Sequence, residues 1–348
     1  MKKIAYIEID THAEIARAFI DIMRGSKNFA ADYYFSKKIK DQIGINDENI
    51  FLSDSSMIVD QLKDKNYDLI IIGTVHRYFN TFLAITGKYR TAIVTHNLNF
   101  TKTSKLNLIK SIFKGDVIYR LKLWWKEGLL NSSEVYRKSQ SLFVLDEAMT
   151  SDKHLFLPLF YTKPAGKNKN QHLMVVIPGG VSQKRRDYYD LFQKIQNLNI
   201  DENIEFVFLG KAKDKELTML ESLSARVPDS IRITYFSERV PAETFDQWMQ
   251  KADVLWCPIQ QDTEFFSLKE TYGVTKMTGN LGDAIVYGKW AVFPQNYPAK
   301  LDFIVPEQKD LPEQWKNLSK THFDFQKIYN KEEVRKKLEA LLSSLIPV

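Results

Sequence analysis

Cysteine is almost absent from this sequence. Cys257 is the only one in 348 residues, so no disulfide forms within the chain, and a reducing compartment fits. It lies in the run Asp253-Val254-Leu255-Trp256-Cys257-Pro258, which reads as a buried strand, so core packing rather than nucleophilic chemistry is expected of it. No stretch of about 18 apolar residues occurs, and no membrane-spanning helix is expected. The basic start Met1-Lys2-Lys3 is like the head of a signal peptide, but Glu8 and Asp10 break the apolar stretch behind it, and a cytoplasmic location is expected. Glycine and proline are few, 14 and 11, with no low-complexity tract, as in a globular protein.

Several chemical signatures are missing. After the first strand the chain reads Ile9-Asp10-Thr11-His12-Ala13-Glu14, without the glycines that let a backbone approach a dinucleotide pyrophosphate. That argues against a nicotinamide or flavin enzyme. There is no Walker A loop, no D-x-D pair to hold a divalent ion, and no zinc ligand set, so neither metal nor cofactor is expected. Acidic residues are outnumbered: the net charge is +6, which suits an anionic partner such as a nucleotide or lipid phosphate, or simply a mildly basic surface.

What is present is length for two domains and a steady alternation of strand-like and helix-like segments. Strands are predicted over 3–9, 67–73, 91–95, 141–145 and 155–160, with a helix over 13–23. The polar segment 162–171 reads as a linker. Strands then recur over 173–177, 204–209, 231–236, 253–257 and 290–293, with helices over 187–198, 213–225 and 242–251. An amphipathic helix follows over 331–345. Two successive βαβ halves imply α/β architecture: two doubly wound parallel-sheet domains, 1–165 and 166–328, facing each other across a cleft, with 329–348 packing back toward the first.

Ligands of such sheets bind beyond the carboxyl ends of the strands. His12, His76 and His96 each follow a strand of the first half, which suggests one rim that manages protons or anions; the alternative is that each merely bonds a loop backbone. In the second half, a strand runs into Pro178-Gly179-Gly180 and then Lys184-Arg185-Arg186 before a helix. Glycines and a helix N-terminus suit a diphosphate, and the cations there would otherwise oppose the helix dipole; a solvated basic turn is the alternative. Further on, Lys276, Thr278, Gly279 and Asn280 bring charge, hydroxyl and N–H donors ahead of a short helix, and Asp283 is placed to accept from ribose hydroxyls or to pair with a lysine.

Here the chain resembles the GT-B glycosyltransferases, especially the large bacterial retaining family with its E-G-F-G-x-x-x-x-E-A-x-x-x-G motif. Asp283-Ala284 matches the Glu-Ala, Gly288 the later glycine, and Pro294 closes the strand. Thr95-His96-Asn97-Leu98 resembles the acceptor-domain T-V-H-N/D motif. The stretch from Tyr235-Phe236 through Arg239-Val240-Pro241 to Ala252-Asp253-Val254 resembles the loop whose backbone contacts the nucleobase. Residues 178–186 stand where the family has its diphosphate clamp. The E-x7-E motif is degenerate: Thr275 replaces its first glutamate, and Gly180 stands at or near the clamp arginine, leaving Lys184 or Arg185 to substitute.

The resemblance implies two Rossmann-like domains and a metal-independent transfer of sugar from a nucleotide-sugar to a glycan or lipid-linked acceptor, as in bacterial surface polysaccharide synthesis. The diphosphate is then expected at Gly180, Lys184, Arg185, Lys276, Thr278, Gly279 and Asn280, the nucleoside at Arg239, Val240 and Asp283, and the donor sugar near Thr275 and His76. If the reaction inverts, His12 is the first choice as base, with Asp10 or Glu8 as alternatives; if it retains, His96 assists donor binding. Residues 101–126 interleave lysines with leucines and tryptophans, which suits an anionic membrane surface or an ordinary packed helix. Two other readings stand beside this: a GT-B nucleotide-sugar 2-epimerase, and a silent nucleotide-sugar-binding scaffold. Nucleic acid is not an expected partner, because no aromatic RNA-binding motif accompanies the basic residues.

Overall fold

The computed structural model describes residues 1–164, 171–200 and 202–347. The expected boundary between 165 and 166, and most of the expected linker, lie outside these. In chain order the strands are β1 (Lys2–Glu8), β2 (Phe29–Phe35), β3 (Ile50–Leu52), β4 (Leu69–Ile72), β5 (Thr91–Val94), β6 (Ser141–Val144), β7 (His154–Phe156), β8 (Leu173–Pro178), β9 (Ile204–Lys211), β10 (Ile231–Phe236), β11 (Val254–Trp256), β12 (Asp262–Phe265), β13 (Leu268–Thr271), β14 (Ala291–Phe293) and β15 (Ile304–Pro306).

Apolar β-branched runs explain the central strands. Leu69–Ile72 (LIII) and Thr91–Val94 (TAIV) are buried at every position, as parallel strands covered by helices on both faces must be. They belong to a seven-stranded sheet, β3-β2-β1-β4-β5-β6-β7, whose paired strands all run parallel. The second half forms a six-stranded parallel sheet, β10-β9-β8-β11-β14-β15. Both orders reverse beside the first strand, between β1 and β4 and between β8 and β11. Each reversal opens a crevice at the carboxyl edge. The fold is thus two doubly wound parallel-sheet domains.

The C-terminal helix Lys331–Ser344 lays Val334, Leu338 and Leu342 into the core of the first domain, beside Phe19 and Ile22 of the helix Ala13–Met23. Phe160 and Met277 pack against cores of both domains.

The antiparallel hairpin β12–β13 has no counterpart among the predicted elements. It leaves the second domain and buries itself in the first. Phe265, Phe266 and Leu268 pack on the core that holds Phe79 and Phe100. Phe266 and Ser267 turn it with φ of 51° and 57°, the left-handed pair a two-residue hairpin needs. Arg120 donates to Ser267 Oγ at 2.8 Å. Glu270, fully buried, accepts from the backbone N–H groups of Asn99 (3.3 Å) and Phe100 (3.0 Å), and so caps a short helix of the other domain.

Candidate functional site

The carboxyl edge of the first sheet gathers three imidazoles. His12 follows β1 in a left-handed conformation (φ 64°) and stacks on His96 with ring centroids 4.0 Å apart and planes within 11°. His76, after β4, meets them edge-on, 6.0 Å from His12 and 5.6 Å from His96.

Their hydrogen bonds assign different jobs. His96 Nε2 lies 2.9 Å from the Gly73 carbonyl, an acceptor, so that nitrogen carries the proton. Asn97 Nδ2 donates to His76 Nε2 at 3.2 Å, so there the proton sits on Nδ1. Burial, then the charges of His12 and Lys276, push His76 down to about 3. Burial, then the neighbouring imidazoles, push His96 well down too. Both are neutral at physiological pH.

His12 differs. Its Nδ1 bonds Glu14 Oε1 at 2.8 Å. Burial works against the charged ring, but the Glu14 bond and the charges of Glu14 and Glu8 outweigh it and raise the pKa. An imidazole oriented through Nδ1 by a carboxylate leaves Nε2 to take a proton, the arrangement of a general base. The loop that presents it is tied down by Glu8, which accepts from Asp10 N (3.1 Å), Thr11 N (3.2 Å) and Thr74 Oγ1 (2.6 Å). Glu8 is fully buried and its carboxyl is pushed up to about 7 by that burial, so it acts from inside the fold. Asp10, on the same loop, is half-buried and shifted upward by burial.

Across the cleft stands the second domain. Lys276 Nζ donates to Asn97 Oδ1 at 2.5 Å, completing a Lys276–Asn97–His76 chain between domains. Burial lowers Lys276 to about 8, with Glu270 opposing and Arg185 reinforcing. Thr278 caps the helix Gly279–Tyr287 through Asn280 N. Asn280, buried, donates to the Pro178 carbonyl at 3.0 Å and accepts from Arg186 Nη2 at 3.0 Å. The glycine loop after β8 and the helix start are thereby held as one wall. Asp283 lies on the next turn; burial raises its carboxyl to about 7 against the pull of Arg186, and Glu14 of the first domain adds to the rise.

Two glycines mark an open space. A Cβ built on Gly180 or Gly279 meets no atom within 4 Å, and neither has positive φ, so the fold itself does not demand glycine there. Gly179 is different: its φ of 100° requires it.

Of the three consecutive cations, Arg186 is the one held in the wall, bonding the Gly180 carbonyl at 3.2 Å as well as Asn280. Its Nε is buried without a partner among the described residues. Sequence reasoning chose Lys184 and Arg185, both exposed, because nothing in a run of cations says which one folds inward. The helix that follows is Tyr188–Gln196, starting where expected, and Asp187 caps it by accepting from Asp190 N at 3.2 Å, which takes up an N–H expected to face an anion.

Thr275 serves the domain contact. Its hydroxyl accepts from Thr271 N (2.8 Å) and its carbonyl accepts from Leu98 N (2.8 Å). Arg239 and Val240 lie in the loop after the edge strand β10, Arg239 exposed and Val240 packed on the core. Glu14 and Glu270 escaped sequence reasoning; Glu14, two residues past His12, was visible as a partner only once the turn there was known. Among the described residues, no group of three or more His, Cys, Asp or Glu side chains is placed to hold a metal ion. Cys257 is buried, with its thiol pushed up by that burial.

No protein-family model matches the chain, and no curated protein matches its sequence. Solved structures do match in shape. HepE of Anabaena, solved with UDP, is 12% identical with a TM-score of 0.59 over 99% of this chain and 100% of that one. The lipopolysaccharide outer core galactosyltransferase WaaB is 10% identical with a TM-score of 0.57 over 98% and 99%. A UDP-GlcNAc 2-epimerase from Neisseria meningitidis bound to UDP-GlcNAc is 10% identical with a TM-score of 0.52 over 98% and 100%. The chain has the fold of the GT-B glycosyltransferases.

Proposed function

We propose that this protein transfers a sugar from a nucleoside diphosphate sugar to a hydroxyl acceptor, with inversion at the anomeric carbon. The observation that carries this reading is the His12–Glu14 pair facing Lys276 and the Arg186–Asn280 wall across one cleft. His12 Nε2 takes the acceptor proton as its oxygen attacks. The leaving diphosphate gathers negative charge, which Lys276, Arg186 and the N-terminus of the helix Gly279–Tyr287 meet with fixed donors. Gly180 and Gly279 leave room for the phosphates, and Asp283 accepts from the ribose hydroxyls. The fixed cations make a divalent ion unnecessary.

The acceptor is carried on an anionic membrane surface, as in surface polysaccharide synthesis. Residues 105–127 form short helices whose Leu108, Ile112 and Leu123 enter the core, which accounts for part of the apolar pattern. Leu106 (71% exposed), Phe113 (66%), Ile118 (83%) and Trp125 (76%) are left over on the outside, among Lys105, Lys110, Lys114, Lys122 and Lys126. Apolar anchors among cations suit acyl chains beneath anionic headgroups. No described helix is long and apolar enough to cross a membrane.

Incubation of the purified chain with a panel of nucleotide-sugars and membrane lipid extract, in the presence of EDTA, tests the reading. One donor is expected to yield free nucleoside diphosphate and a glycosylated product of inverted configuration, and His12→Ala to lower turnover by about two to four orders of magnitude. Full turnover in His12→Ala, a product of retained configuration, or conversion of the donor to an epimer would each refute it.

A further inference from the structure

A second concave surface lies outside the cleft. Loops after β11, β14 and β15 meet one face of the helix Tyr188–Gln196 around an open cavity of 880 Å³, a size that accommodates an extended ligand. Seven of its eighteen lining residues are asparagine or glutamine, against 33 among the 348 of the whole chain, so the enrichment is about fourfold and calls for a ligand that uses amides.

Three of these amides are fixed in place. Gln260 Nε2 donates to the Gln183 carbonyl, Gln261 Nε2 to the Tyr272 carbonyl at 3.1 Å, and Gln295 Nε2 to the Glu307 carbonyl at 3.1 Å. Each bond uses one N–H and leaves the amide a carbonyl oxygen and a second N–H, with an orientation already set. Gln193 and Asn296 stand exposed on either side. The charges are largely spent within the wall. Lys194 pairs with Asp190 (2.5 Å) and Glu307, Asp262 pairs with Lys269 (2.8 Å), and Asp187 caps its helix. Four acids against two lysines line the space, in a protein of net charge +6, so an anionic ligand is disfavoured locally. Pro258, Ile259 and Pro294 supply apolar floor.

An uncharged, hydroxyl-rich chain fits these terms. Every sugar hydroxyl both donates and accepts, as each amide does, and the C–H faces of a pyranose rest on proline and isoleucine. We propose that this groove binds a neutral oligosaccharide, separately from the cleft. It borders the cleft through backbone contacts: Gln260 N donates to the Arg185 carbonyl at 3.1 Å, and Asp187 N to the Pro258 carbonyl at 2.8 Å. A glycan held there lies beside the diphosphate wall, where it keeps a polymer close to the reacting site. The ligand class follows from the groove's own lining and goes beyond the transfer reading.

The test is calorimetry and saturation-transfer NMR on the full chain with neutral tetrasaccharides of gluco, galacto, manno and N-acetylglucosamine type, and with a hexuronate tetrasaccharide as the charged probe. At least one neutral probe is expected to bind, and the hexuronate probe to bind more weakly. The double variant Gln193→Ala/Asn296→Ala changes two exposed side chains, keeps the melting temperature, and should lose about tenfold or more in affinity. Lys276→Ala, on the cleft side, should bind the tetrasaccharide as the wild type does. Absence of binding by every neutral probe, preference for the charged one, or loss of binding in Lys276→Ala but not in the groove variant would overturn the groove. None of these results would touch donor turnover, which is measured apart.

Discussion

Lys276 offers the sharpest quantitative handle on the cleft. Its ammonium is drawn from an ordinary 10.5 to about 8 by burial, which Glu270 only partly offsets and the positive field of Arg185 reinforces. A diphosphate placed against it restores the preference for the charged form. Binding therefore costs nothing extra while Lys276 is protonated, and a growing protonation penalty once it is not. One pH unit below 8 about nine-tenths of the lysine is charged and one unit above about one-tenth, so affinity falls about tenfold, or ~1.4 kcal/mol, between pH 7 and 9. At pH 8 binding should take up about half a proton. For folding, the sign is the reverse of a stabilising pair. With the folded value below the unfolded one, the unfolded chain binds more protons between about 8 and 10.5, and stability gains from this residue as pH rises through that window.

The assay is titration calorimetry with the donor that shifts the melting temperature most, repeated in buffers of different ionisation enthalpy. Lys276→Arg, which keeps its charge throughout, is the control and should flatten the profile. A wild-type affinity constant from pH 7 to 9, with no proton uptake, would refute the placement of the diphosphate at Lys276.

Other perturbations separate site from scaffold. Gly279→Ala meets open space and should leave the melting temperature unchanged or raised while weakening donor binding; Gly282→Ala would set its Cβ 2.9 Å from the Phe160 ring and should lower stability, by about 1–3 kcal/mol, as read from denaturation. Glu270→Ala strips the acceptor from the buried Phe100 N–H and the part-buried Asn99 N–H and should cost about 1–3 kcal/mol locally, seen as lost hydrogen-exchange protection foremost at Phe100, with Glu270→Gln intermediate. Ile118→Ser/Trp125→Ser should abolish sedimentation with phosphatidylglycerol vesicles at low salt; unchanged sedimentation would remove that face from the membrane reading.

Strong periodicity and local signals were legible in the sequence; long-range pairing was not. Runs such as LIII and LMVVI announce buried parallel strands, and their alternation with helices announced two doubly wound domains. β2 (FAADYYF) escaped because its burial pattern is mixed, and β3 and β15 because each is a three-residue edge strand buried at only one position, unlike the equally short but fully buried β11 and β14. The hairpin was hidden for a different reason. Asp262–Phe265 and Leu268–Thr271 are polar on one face, and their aromatic content makes sense only against a groove in the other domain. The three histidines were readable as a set because each follows a strand of the same sheet. Which nitrogen carries each proton depends on Gly73, Asn97 and Glu14, contacts that no spacing rule supplies.

The hairpin also bears on the stereochemistry. At the position matching the retaining family's first glutamate stands Thr275, whose hydroxyl is taken up by Thr271 N within its own loop and whose carbonyl accepts from Leu98 N of the other domain. The nearby carboxylate on that strand, Glu270, is fully buried and occupied by the Asn99 and Phe100 N–H groups, so it is not presented to a donor sugar. The domain that would ordinarily supply an acid beneath the sugar has used its residues to grip its neighbour. Opposite, a carboxylate-oriented imidazole stands at the end of β1, and beside two imidazoles whose hold on a proton is weakened by burial, His12 is the one of the three whose hold is strengthened, by Glu14 and Glu8. With His12 as base, and with Glu270 committed to the Asn99 and Phe100 N–H groups, the proposed site favours direct displacement. That is why inversion, one of the two outcomes the sequence left open, is the outcome on which the proposed mechanism stands.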